Sequence, residues 1–520
     1  RIEIRPETFS YLFLALTWLI LENPHLSRPR RRLFLIPLFI LWANIHIYFF
    51  LGLALYFFWI LGRSWSPLAG RSWLSGVKLK AAVRAVKPDI IDFFLLVGAC
   101  LLTPNHIYGL FYPFNILRDY GYQIAENKSI FFLNNLILNY NFLIFKIVLA
   151  VLVLGWLADW LVSRQTRWTD WLFGLFISTL ALLAVRNLAL FGVVALVLLS
   201  SAWRRPVLFL WKKIKVFFPG QQAAITVYSL SIILILVLAD ISFLEIDGQG
   251  RHNFLKEERG LGLAAGSEDS FQFFRNSGFS GPIFNNYDAG SALIFGLADK
   301  EKVFVDNRPE AYESRFFTEI YIPMQNDQAQ WQKYLNQYKF QTIYFSYNDA
   351  TPWSKVFLNR ILTDQDWAVV YFDRYYIILA RKSATAPALL AKYTINPLDY
   401  KIKIRDLAAT ADTAGKFHLA SLAQNLGQPE AAAEIYQALL LSEPDNVRAV
   451  FGLAYLYAGS AEPASLRQSV IYFKQALAEE KRFPGGYDGL ALVYWRLADY
   501  PQAEFYWQQA WRINHRDETA

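Results

Sequence analysis

The chain has 520 residues, of which 55% are hydrophobic and 17% aromatic, and its mean hydropathy is +0.22. A water-soluble chain of this length would be less apolar, so the composition favours a membrane protein. The net charge of +8 does not indicate nucleic-acid binding, because the basic excess lies between apolar segments, where it orients membrane helices. The single cysteine, Cys100, excludes an intrachain disulfide and a cysteine-rich metal site.

The charge is divided unevenly along the chain. Residues 1–243 carry 23 basic and 10 acidic side chains, whereas residues 244–520 carry 28 and 33. The first part is therefore basic and apolar, and the second has the composition of a soluble protein. We predict a transmembrane helical domain in residues 1–245, followed by a linker in residues 246–264. The sequence opens without an initiator methionine or a signal-peptide pattern, so we expect that a segment before Arg1 is missing.

The first part contains long apolar segments, and two of them have polar residues near the middle. A single membrane crossing needs about 20 residues, so the second and fifth segments are too long for one crossing. Asn44 and His46 lie inside the second segment, and Arg186 and Asn187 lie inside the fifth. The apolar segments are residues 9–21, 33–62, 90–103, 142–162, 171–201 and 223–244.

The charges of the connecting loops decide between two topologies. Residues 22–32 hold four arginines and one acid, and residues 62–88 hold six basic residues and no acid. If every basic loop lies on the inner side, each long segment is a helical hairpin interrupted at its polar residues. The alternative is two long tilted helices, which would place residues 62–88 outside. The hairpin interpretation puts the chain after about residue 245 on the outer side, periplasmic or extracellular.

Residues 265–383 alternate helical and strand patterns, which predicts a small exported α/β domain with a partly parallel sheet. We expect a first helix that is capped by Ser267 and ends at Gly278. A closing hairpin follows, with its turn at Asp373 and Arg374. The predicted strands are residues 281–288, 302–308, 340–348 and the two arms of residues 367–382.

After a linker in residues 384–410, residues 411–520 repeat with the tetratricopeptide period of about 34 residues. Three copies place small residues and aromatics at equivalent positions, and the second copy is longer by about three residues near Ala461. Such repeats stack as helix pairs and usually bind a protein or peptide partner on their concave face. The alternative is that the repeats merely cap the α/β domain.

Four motifs resemble those of a group of bacterial polytopic membrane proteins. They are "RPETFSYLF" (5–13), "LWANIH" (41–46), "TPNHIYGLFYP" (103–113) and "KVFVDNRPEAY" (302–312). That group is similar to the GT-C-fold glycosyltransferases, and many of its members end in tetratricopeptide repeats. The resemblance covers most of residues 1–385. It implies a multi-domain membrane protein with a GT-C-like α-helical transmembrane bundle, a small α/β exported domain and an all-α tetratricopeptide repeat domain.

The resemblance implies transfer of a sugar from a polyprenyl-phosphate carrier to an acceptor at the outer membrane face. Two features depart from the pattern. The catalytic acid of GT-C enzymes follows the first membrane span, and that region would precede Arg1. The group typically has glycine after the motif histidine, whereas this chain has Ile47. A non-enzymatic membrane anchor that presents the repeats for envelope assembly is the alternative function.

The implied chemistry needs a carboxylate near the acceptor and a cation or divalent metal near the phosphate. Arg5 and Arg186 are therefore candidate phosphate-binding residues. Each has a simpler alternative. Arg5 could reach the lipid headgroups, and Arg186 could pair with a buried carboxylate such as the acid expected before Arg1, Asp92 or Asp240. The further candidates at the outer face are Glu7, Asn44, His46, Asn105 and His106. Glu7 alternatively caps the first helix, and Asn44 and His46 alternatively satisfy the hairpin turn.

In the exported domain, Asn285, Asp288, Asp306 and Arg308 follow predicted strands. Ligands of α/β proteins usually bind at the carboxyl ends of such strands, so these residues are also site candidates. The alternative is that they form turns and one salt bridge.

Overall fold

We describe a computed structural model of the chain. The description covers residues 6–65, 76–115, 120–122, 125–136, 140–217, 266–297, 300–480 and 485–513. The predicted last membrane segment and the linker in residues 246–264 lie outside the described residues. The described part is mostly helical and contains one four-stranded sheet. Contacts between residues divide the chain into unit 1, Arg1–Arg118 with Gln123–Asp240, and unit 2, Asp119–Tyr122 with Ile241–Ala520.

Unit 1 is helical in its described residues. Among the helices described, Asn141–Ser163 and Val185–Lys213 are long and apolar enough to cross a membrane. Only 28% and 33% of the residues in their apolar windows are buried by the rest of the chain, so most of this apolar surface faces outward. The helices are α1 (Glu7–Glu22), α2 (Arg28–Ile45), α3 (Phe49–Trp65), α4 (Gly76–Cys100), α5 (His106–Asn115), α6 (Ile130–Leu136), α7 (Tyr140–Ser163), α8 (Trp168–Leu183) and α9 (Leu188–Phe217), with 3-10 turns at Ala125–Asn127 and Val185–Asn187.

The two long apolar segments are interrupted where the sequence predicts. Helix α2 ends at Ile45 and α3 begins at Phe49, with His46 in extended conformation between them. Helix α8 ends at Leu183, and the 3-10 turn that contains Arg186 and Asn187 precedes α9. Both predicted interruptions are therefore confirmed.

Polar contacts show that the two halves of each segment return to the same end of unit 1. Asp89 of α4 contacts Arg28 at the start of α2 (3.2 Å) and Arg63 near the end of α3 (3.5 Å). Similarly, Arg167, just before α8, donates a hydrogen bond to the hydroxyl of Ser201 in α9 at 2.8 Å. Because one side chain reaches both halves, each segment folds back as a helical hairpin and not as one long tilted helix.

The predicted loop in residues 62–88 is wrong in its second half. Helix α4 begins at Gly76 and continues through Pro88 to Cys100. Its first turns are rich in lysine, alanine and leucine, which are strong helix formers, so these basic residues lie on a helix and not in a loop.

The first part of unit 2 is built around the sheet, whose strand order is β1-β2-β4-β3. Strand β1 is parallel to β2, and β4 is antiparallel to both β2 and β3, so the predicted mixed sheet and closing hairpin are confirmed. The elements are α10 (Asp269–Ser277), β1 (Ile283–Asn285), α11 (Tyr287–Leu297), a π-helical turn (Phe316–Tyr321), α12 (Ile322–Asn326), α13 (Gln328–Tyr338), β2 (Thr342–Phe345), α14 (Pro352–Thr363), β3 (Trp367–Phe372), β4 (Ile377–Arg381) and α15 (Pro387–Tyr393), with a 3-10 turn at Pro309–Ala311.

Two local predictions in this region are wrong. Residues 302–308 form no strand. Their backbone hydrogen-bonds to the side chain of Asn285 and not to the backbone of a neighbouring strand. The amide oxygen of Asn285 accepts from the N–H of Phe304 (2.8 Å), and its amide nitrogen donates to the carbonyl of Val305 (2.7 Å). Helix α10 begins after Glu268 and not after Ser267, whereas Gly278 ends it as predicted, with a φ of +90°.

The rest of unit 2 is helical. Within the described residues, α17 with α18, α19 with α20, and α21 with α22 pack as three helix hairpins, one for each predicted repeat. Residues 384–410, predicted as a linker, contain α15 and α16, and α16 packs against α17 and α18. The helices are α16 (Tyr400–Thr410), α17 (Thr413–Asn425), α18 (Pro429–Ser442), α19 (Val447–Ala458), α20 (Pro463–Glu479), α21 (Gly486–Arg496) and α22 (Tyr500–Ile513), with a 3-10 turn at Pro397–Asp399.

The repeats are anchored to the β3–β4 hairpin. The ammonium of Lys403 lies 4.7 Å from the centre of the Phe372 ring. The N–H of Ile395 donates to the carbonyl of Val369, and Arg374 in the hairpin turn contacts Asp412 just before α17 (4.0 Å). The contacts of Lys403 and Ile395 join residues 384–410 to the hairpin, and the contact of Arg374 with Asp412 joins the first repeat to it.

Asp373 gives this junction a pH dependence. Its buried carboxylate accepts hydrogen bonds from the N–H groups of Tyr375 (2.7 Å) and Tyr376 (2.8 Å), and burial raises its pKa to about 6. The ordinary pKa of an unfolded aspartate is about 3.9. The folded state therefore holds this proton more tightly, and the contribution of Asp373 to stability grows as the pH falls through about 6.

We expect the opening free energy of the β3–β4 turn to rise by about 1 kcal/mol between pH 7 and pH 5, relative to Asp373→Asn. Asparagine keeps an oxygen acceptor for the two N–H groups but has no titrating proton. Hydrogen exchange over residues 371–377 in the full-length protein measures this difference. The same pH dependence in both proteins would contradict the assignment.

Candidate functional site

Polar side chains gather at the end of unit 1 where α1 begins. Helix α1 contributes two of them, the α2–α3 interruption two, the α8–α9 interruption two, and the 3-10 turn before α6 one. We name this set the polar cluster: Glu7, Ser10, His46, Tyr48, Asn127, Arg186 and Asn187.

The centre of the polar cluster is an ion pair between Arg186 and Glu7. Arg186 Nη2 lies 3.6 Å from Glu7 Oε1, and Nη1 donates to Asn127 Oδ1 at 3.2 Å. Glu7 is buried in the first turn of α1, where the helix dipole also favours a negative charge. The Arg186 side chain remains 26% exposed, and its Nε makes no hydrogen bond within the described residues. Arg186 is therefore held in place, while its buried Nε–H has no hydrogen-bond acceptor in the described part of the chain.

A second chain of hydrogen bonds fixes His46. Trp42 Nε1 donates to the hydroxyl oxygen of Ser10 at 2.8 Å, and that oxygen lies 2.9 Å from His46 Nδ1. The N–H of Tyr48 also donates to Nδ1, at 3.4 Å. Nδ1 is therefore an acceptor, so the Ser10 hydroxyl donates to it and the ring proton resides on Nε2. His46 thus ties the α2–α3 interruption to α1.

The two hairpins are joined through Tyr48 and Asn187. The Tyr48 hydroxyl donates to Asn187 Oδ1 at 3.0 Å, and Asn187 Nδ2 donates to the carbonyl of Leu180 at 2.9 Å. Asn187 therefore satisfies a carbonyl in the last turn of α8 while it connects the two interruptions. Polar residues at the two helix interruptions thus also form the hydrogen bond that connects the interruptions.

The opposite end of unit 1 holds a separate set of ion pairs. Asp92 pairs with Arg32 (2.5 Å), so the predicted pairing of Asp92 with Arg186 is wrong. Asp240, the other carboxylate proposed for Arg186, lies outside the described residues. Other pairs at this end are Asp89 with Arg28 and Arg63, Asp92 with Arg28, Asp159 with Arg205, and Arg167 with Glu22 and Asp170.

The structure does not bring every predicted outer-face residue into the polar cluster. Asn44 donates to the carbonyls of Ile40 (2.8 Å) and Leu102 (2.9 Å), which joins the ends of α2 and α4. His106 contacts the carbonyl of Leu101, and Asn105 is exposed beside it. In the described part of the chain, no hydrogen bond links these three side chains to the polar cluster. Arg5 lies outside the described residues.

Three of the four exported-domain candidates, Asn285, Asp306 and Arg308, are engaged in local structure. Asn285 holds residues 304 and 305 as described above. Asp306 pairs with Arg308 (2.7 Å), whose guanidinium lowers the pKa of the Asp306 carboxyl, and Arg308 itself is largely exposed. Asp288 is exposed in the first turn of α11. These contacts are those that the turn and salt-bridge interpretation predicts.

The carboxyl ends of β1 and β2 are covered by the chain itself. Tyr122 stacks on Tyr287 with the ring centres 4.1 Å apart. Tyr122 belongs to a short stretch of unit 2 that lies between two parts of unit 1 in the sequence. Its ring also meets Trp353 edge-on at 5.8 Å. A ligand at this position would first have to displace Tyr122.

Among the described residues, no group of three or more histidine, cysteine, aspartate or glutamate side chains is placed to hold a metal ion. The polar cluster offers one carboxylate and one imidazole, and Nδ1 of that imidazole is already occupied. The arginine is therefore the group in the polar cluster that is suited to an anion.

The sequence did not single out Ser10, Tyr48 and Asn127. Asn127 lies in a short connector, and its contact with Arg186 joins residues that are distant in the sequence. Tyr48 follows His46 by two residues, so its position beside a predicted helix interruption could have indicated it as a site residue.

The chain matches no known protein-family profile, and it matches no curated protein significantly.

The ion pair is testable by a double-mutant cycle. Glu7→Gln or Arg186→Gln leaves a largely buried charge without its partner. Each substitution should therefore lower the free energy of unfolding of unit 1 by about 2–3 kcal/mol. The double variant should lose less than the sum, with a coupling of about 1–2 kcal/mol. Thermal unfolding of the detergent-solubilised full-length protein measures these values.

Arg205→Gln combined with Glu7→Gln is the matched control, because Arg205 pairs with Asp159 at the opposite end. We expect that combination to be additive. Additivity of the Glu7 and Arg186 variants would show that the two side chains do not interact.

Proposed function

We propose that this protein is a glycosyltransferase-like membrane protein that binds a polyprenyl-phosphate sugar at the polar cluster and transfers the sugar at the outer membrane face. The observation that carries the proposal is Arg186. Its guanidinium is fixed by Glu7 and Asn127, its side chain is 26% exposed, and its buried Nε has no hydrogen-bond partner within the described residues of an otherwise apolar helical unit.

A guanidinium suits this role because its planar array of donors matches phosphate oxygens. The nearby Glu7 almost cancels the charge of Arg186, so a second cation is needed to favour an anion. Arg5 precedes Glu7 by two residues in the sequence and remains our candidate for that cation.

During transfer, an acceptor oxygen attacks the sugar carbon and the bond from that carbon to the phosphate oxygen breaks. Negative charge then grows on the departing polyprenyl phosphate. Arg186 stabilises this charge best when it is already fixed, since no reorganisation is then needed at the moment of reaction. A carboxylate must also take the proton from the acceptor.

The depth of the polar cluster suits a substrate carried by a lipid. Glu7 and Glu22 of α1 are 15 residues apart, which corresponds to about 22 Å along the helix. The hydrocarbon core of a bilayer is about 30 Å thick. With the arginine-rich end at the inner boundary, the polar cluster would lie about 8 Å inside the outer boundary of the hydrocarbon core.

This proposal includes a multi-pass topology, with the arginine-rich end of unit 1 on the inner side and residues after about 245 on the outer side. The outward-facing apolar surfaces of α7 and α9 support contact with lipid. The excess of arginine near Arg28 and Arg32 supports the orientation.

A membrane-anchored scaffold without enzymatic activity is the second candidate. The repeats expose large apolar side chains such as Tyr455, Leu492 and Trp495, which favours a protein or peptide partner. Release of sugar from a labelled polyprenyl-phosphate donor by the full-length protein distinguishes the two candidates.

Binding of a radiolabelled polyprenyl monophosphate to the protein in lipid nanodiscs tests the role of Arg186. We expect Arg186→Ala to weaken binding at least tenfold, a loss of about 1.4 kcal/mol or more. Arg205→Ala, which removes an arginine at the opposite end, should leave the affinity unchanged. Equal effects of both variants would mean that the phosphate does not bind at the polar cluster.

Cysteine labelling tests the orientation. In a Cys100→Ala background, Asn105→Cys should react with an impermeant maleimide added to intact cells, since residue 105 is exposed at the polar-cluster end. Arg30→Cys, which is exposed at the opposite end, should react only after permeabilisation. The reverse labelling pattern would invert the topology and exclude an outward-facing site.

A further inference from the structure

Two guanidinium groups lie on one buried indole at the arginine-rich end of unit 1. The Cζ atom of Arg31 in α2 is 5.2 Å from the centre of the Trp59 ring in α3, and that of Arg63 is 4.7 Å from the same ring. Trp59 is only 5% exposed, so its ring is a fixed part of the helix packing. The two arginines are therefore held against a common surface, and they do not simply extend into water at a membrane boundary.

Two carboxylates of α4 neutralise part of the charge at this place. Asp89 pairs with Arg28 and Arg63, at 3.2 and 3.5 Å. Asp92 pairs with Arg28 and Arg32, at 3.7 and 2.5 Å. Three arginines thus share two carboxylates before the second arginine on the indole is counted.

Arg31 is that further arginine, and it has no counter-charge. Within the described residues its side chain makes no ion pair or hydrogen bond, and its Nε is buried. Residues 62–88, which lead from the end of α3 into α4, contain six basic residues and no acid, so this neighbouring segment supplies no counter-charge either. Positive charges held close together on a buried ring repel each other, and an anion at this position removes that repulsion.

Exposed apolar side chains border the same arginines. Leu33 and Phe34 follow the arginines directly in α2 and are 68% and 51% exposed. In α4, Ile91 and Phe94 lie on either side of Asp92 in the sequence and are 48% and 66% exposed. A soluble phosphate has no apolar part to cover these side chains, whereas the acyl chains of a phospholipid cover them. Excess positive charge beside exposed apolar surface is the combination that suits a lipid headgroup.

We propose that Arg31 and Arg63 bind the phosphate of an anionic phospholipid, with its acyl chains against Leu33 and Phe34. A guanidinium presents a planar fork of donors that matches phosphate oxygens. Arg31 belongs to α2 and Arg63 to α3, so the bound lipid joins the two helices of the first hairpin. This inference rests on contact of unit 1 with lipid and does not depend on the proposed transferase function.

Native mass spectrometry of the detergent-solubilised full-length protein measures this binding one lipid at a time. We expect one phosphatidylglycerol molecule to bind more tightly than phosphatidylcholine with the same acyl chains, because phosphatidylcholine carries no net charge. Inorganic phosphate should not displace it. Equal binding of the two lipids, or displacement by inorganic phosphate at millimolar concentration, would overturn the proposal.

Substitution of Arg31 tests the position of the site. Arg31→Gln should weaken binding of this phosphatidylglycerol at least about fivefold. Arg30→Gln is the matched control, because Arg30 is the exposed neighbour in α2 and its loss changes the net charge equally. We expect the control to change the affinity by less than about twofold, and an equal loss in both variants would show only a general attraction to the basic end and would overturn the site.

Two further variants keep the test decisive. Arg31→Lys retains the positive charge but not the planar fork, so it should weaken binding less than Arg31→Gln does, and the reverse order would contradict a charge-dependent site. Arg186→Ala should leave phosphatidylglycerol binding unchanged, which separates this site from the polar cluster. A loss of binding in Arg186→Ala equal to that in Arg31→Gln would place the lipid at the polar cluster and overturn the proposal.

Discussion

The contact between Glu7 and Arg186 is the interaction on which unit 1 depends. Each charge is placed in an apolar helical unit where it would be costly alone, and each neutralises the other. The pair connects the first helix to the second helical hairpin. Neighbouring contacts complete the arrangement, because Ser10 links α1 to His46 and Tyr48 links the first hairpin to the second. One end of the unit is thus organised by polar groups that support one another.

The charges of unit 1 are separated along its helices. The carboxylates at the opposite end each have an arginine in contact, and aromatic and aliphatic residues such as Phe39, Trp42 and Phe173 fill the space between the two ends. This separation gives the two ends different chemical roles. Arg28, Arg31 and Arg205 at the arginine-rich end each have a guanidinium nitrogen without a hydrogen-bond partner among the described residues, as Arg186 has. We propose the polyprenyl-phosphate site at Arg186 because the orientation that we propose places the polar cluster at the outer side.

Local sequence pattern predicted the features that depend on neighbours in the chain. Polar residues in the middle of an apolar segment indicated where helices end, and the 34-residue repeat indicated the helix hairpins. It could not predict contacts between distant segments. Glu7 and Arg186 are 179 positions apart, and no local pattern selects Glu7 over Asp92 as the partner. The strand predicted at residues 302–308 is absent for a similar reason. The backbone of residues 304 and 305 hydrogen-bonds to the side chain of Asn285, and a local pattern does not indicate this contact between distant residues.

The polar cluster is the place where we propose that a lipid phosphate binds. An electron cryomicroscopy structure of the full-length protein in nanodiscs that contain a polyprenyl monophosphate tests this binding most directly. We expect phosphate density within hydrogen-bonding distance of the Arg186 guanidinium. Phosphate density at Arg28 and Arg32 instead, with Arg186 still closed on Glu7 and Asn127, would contradict it.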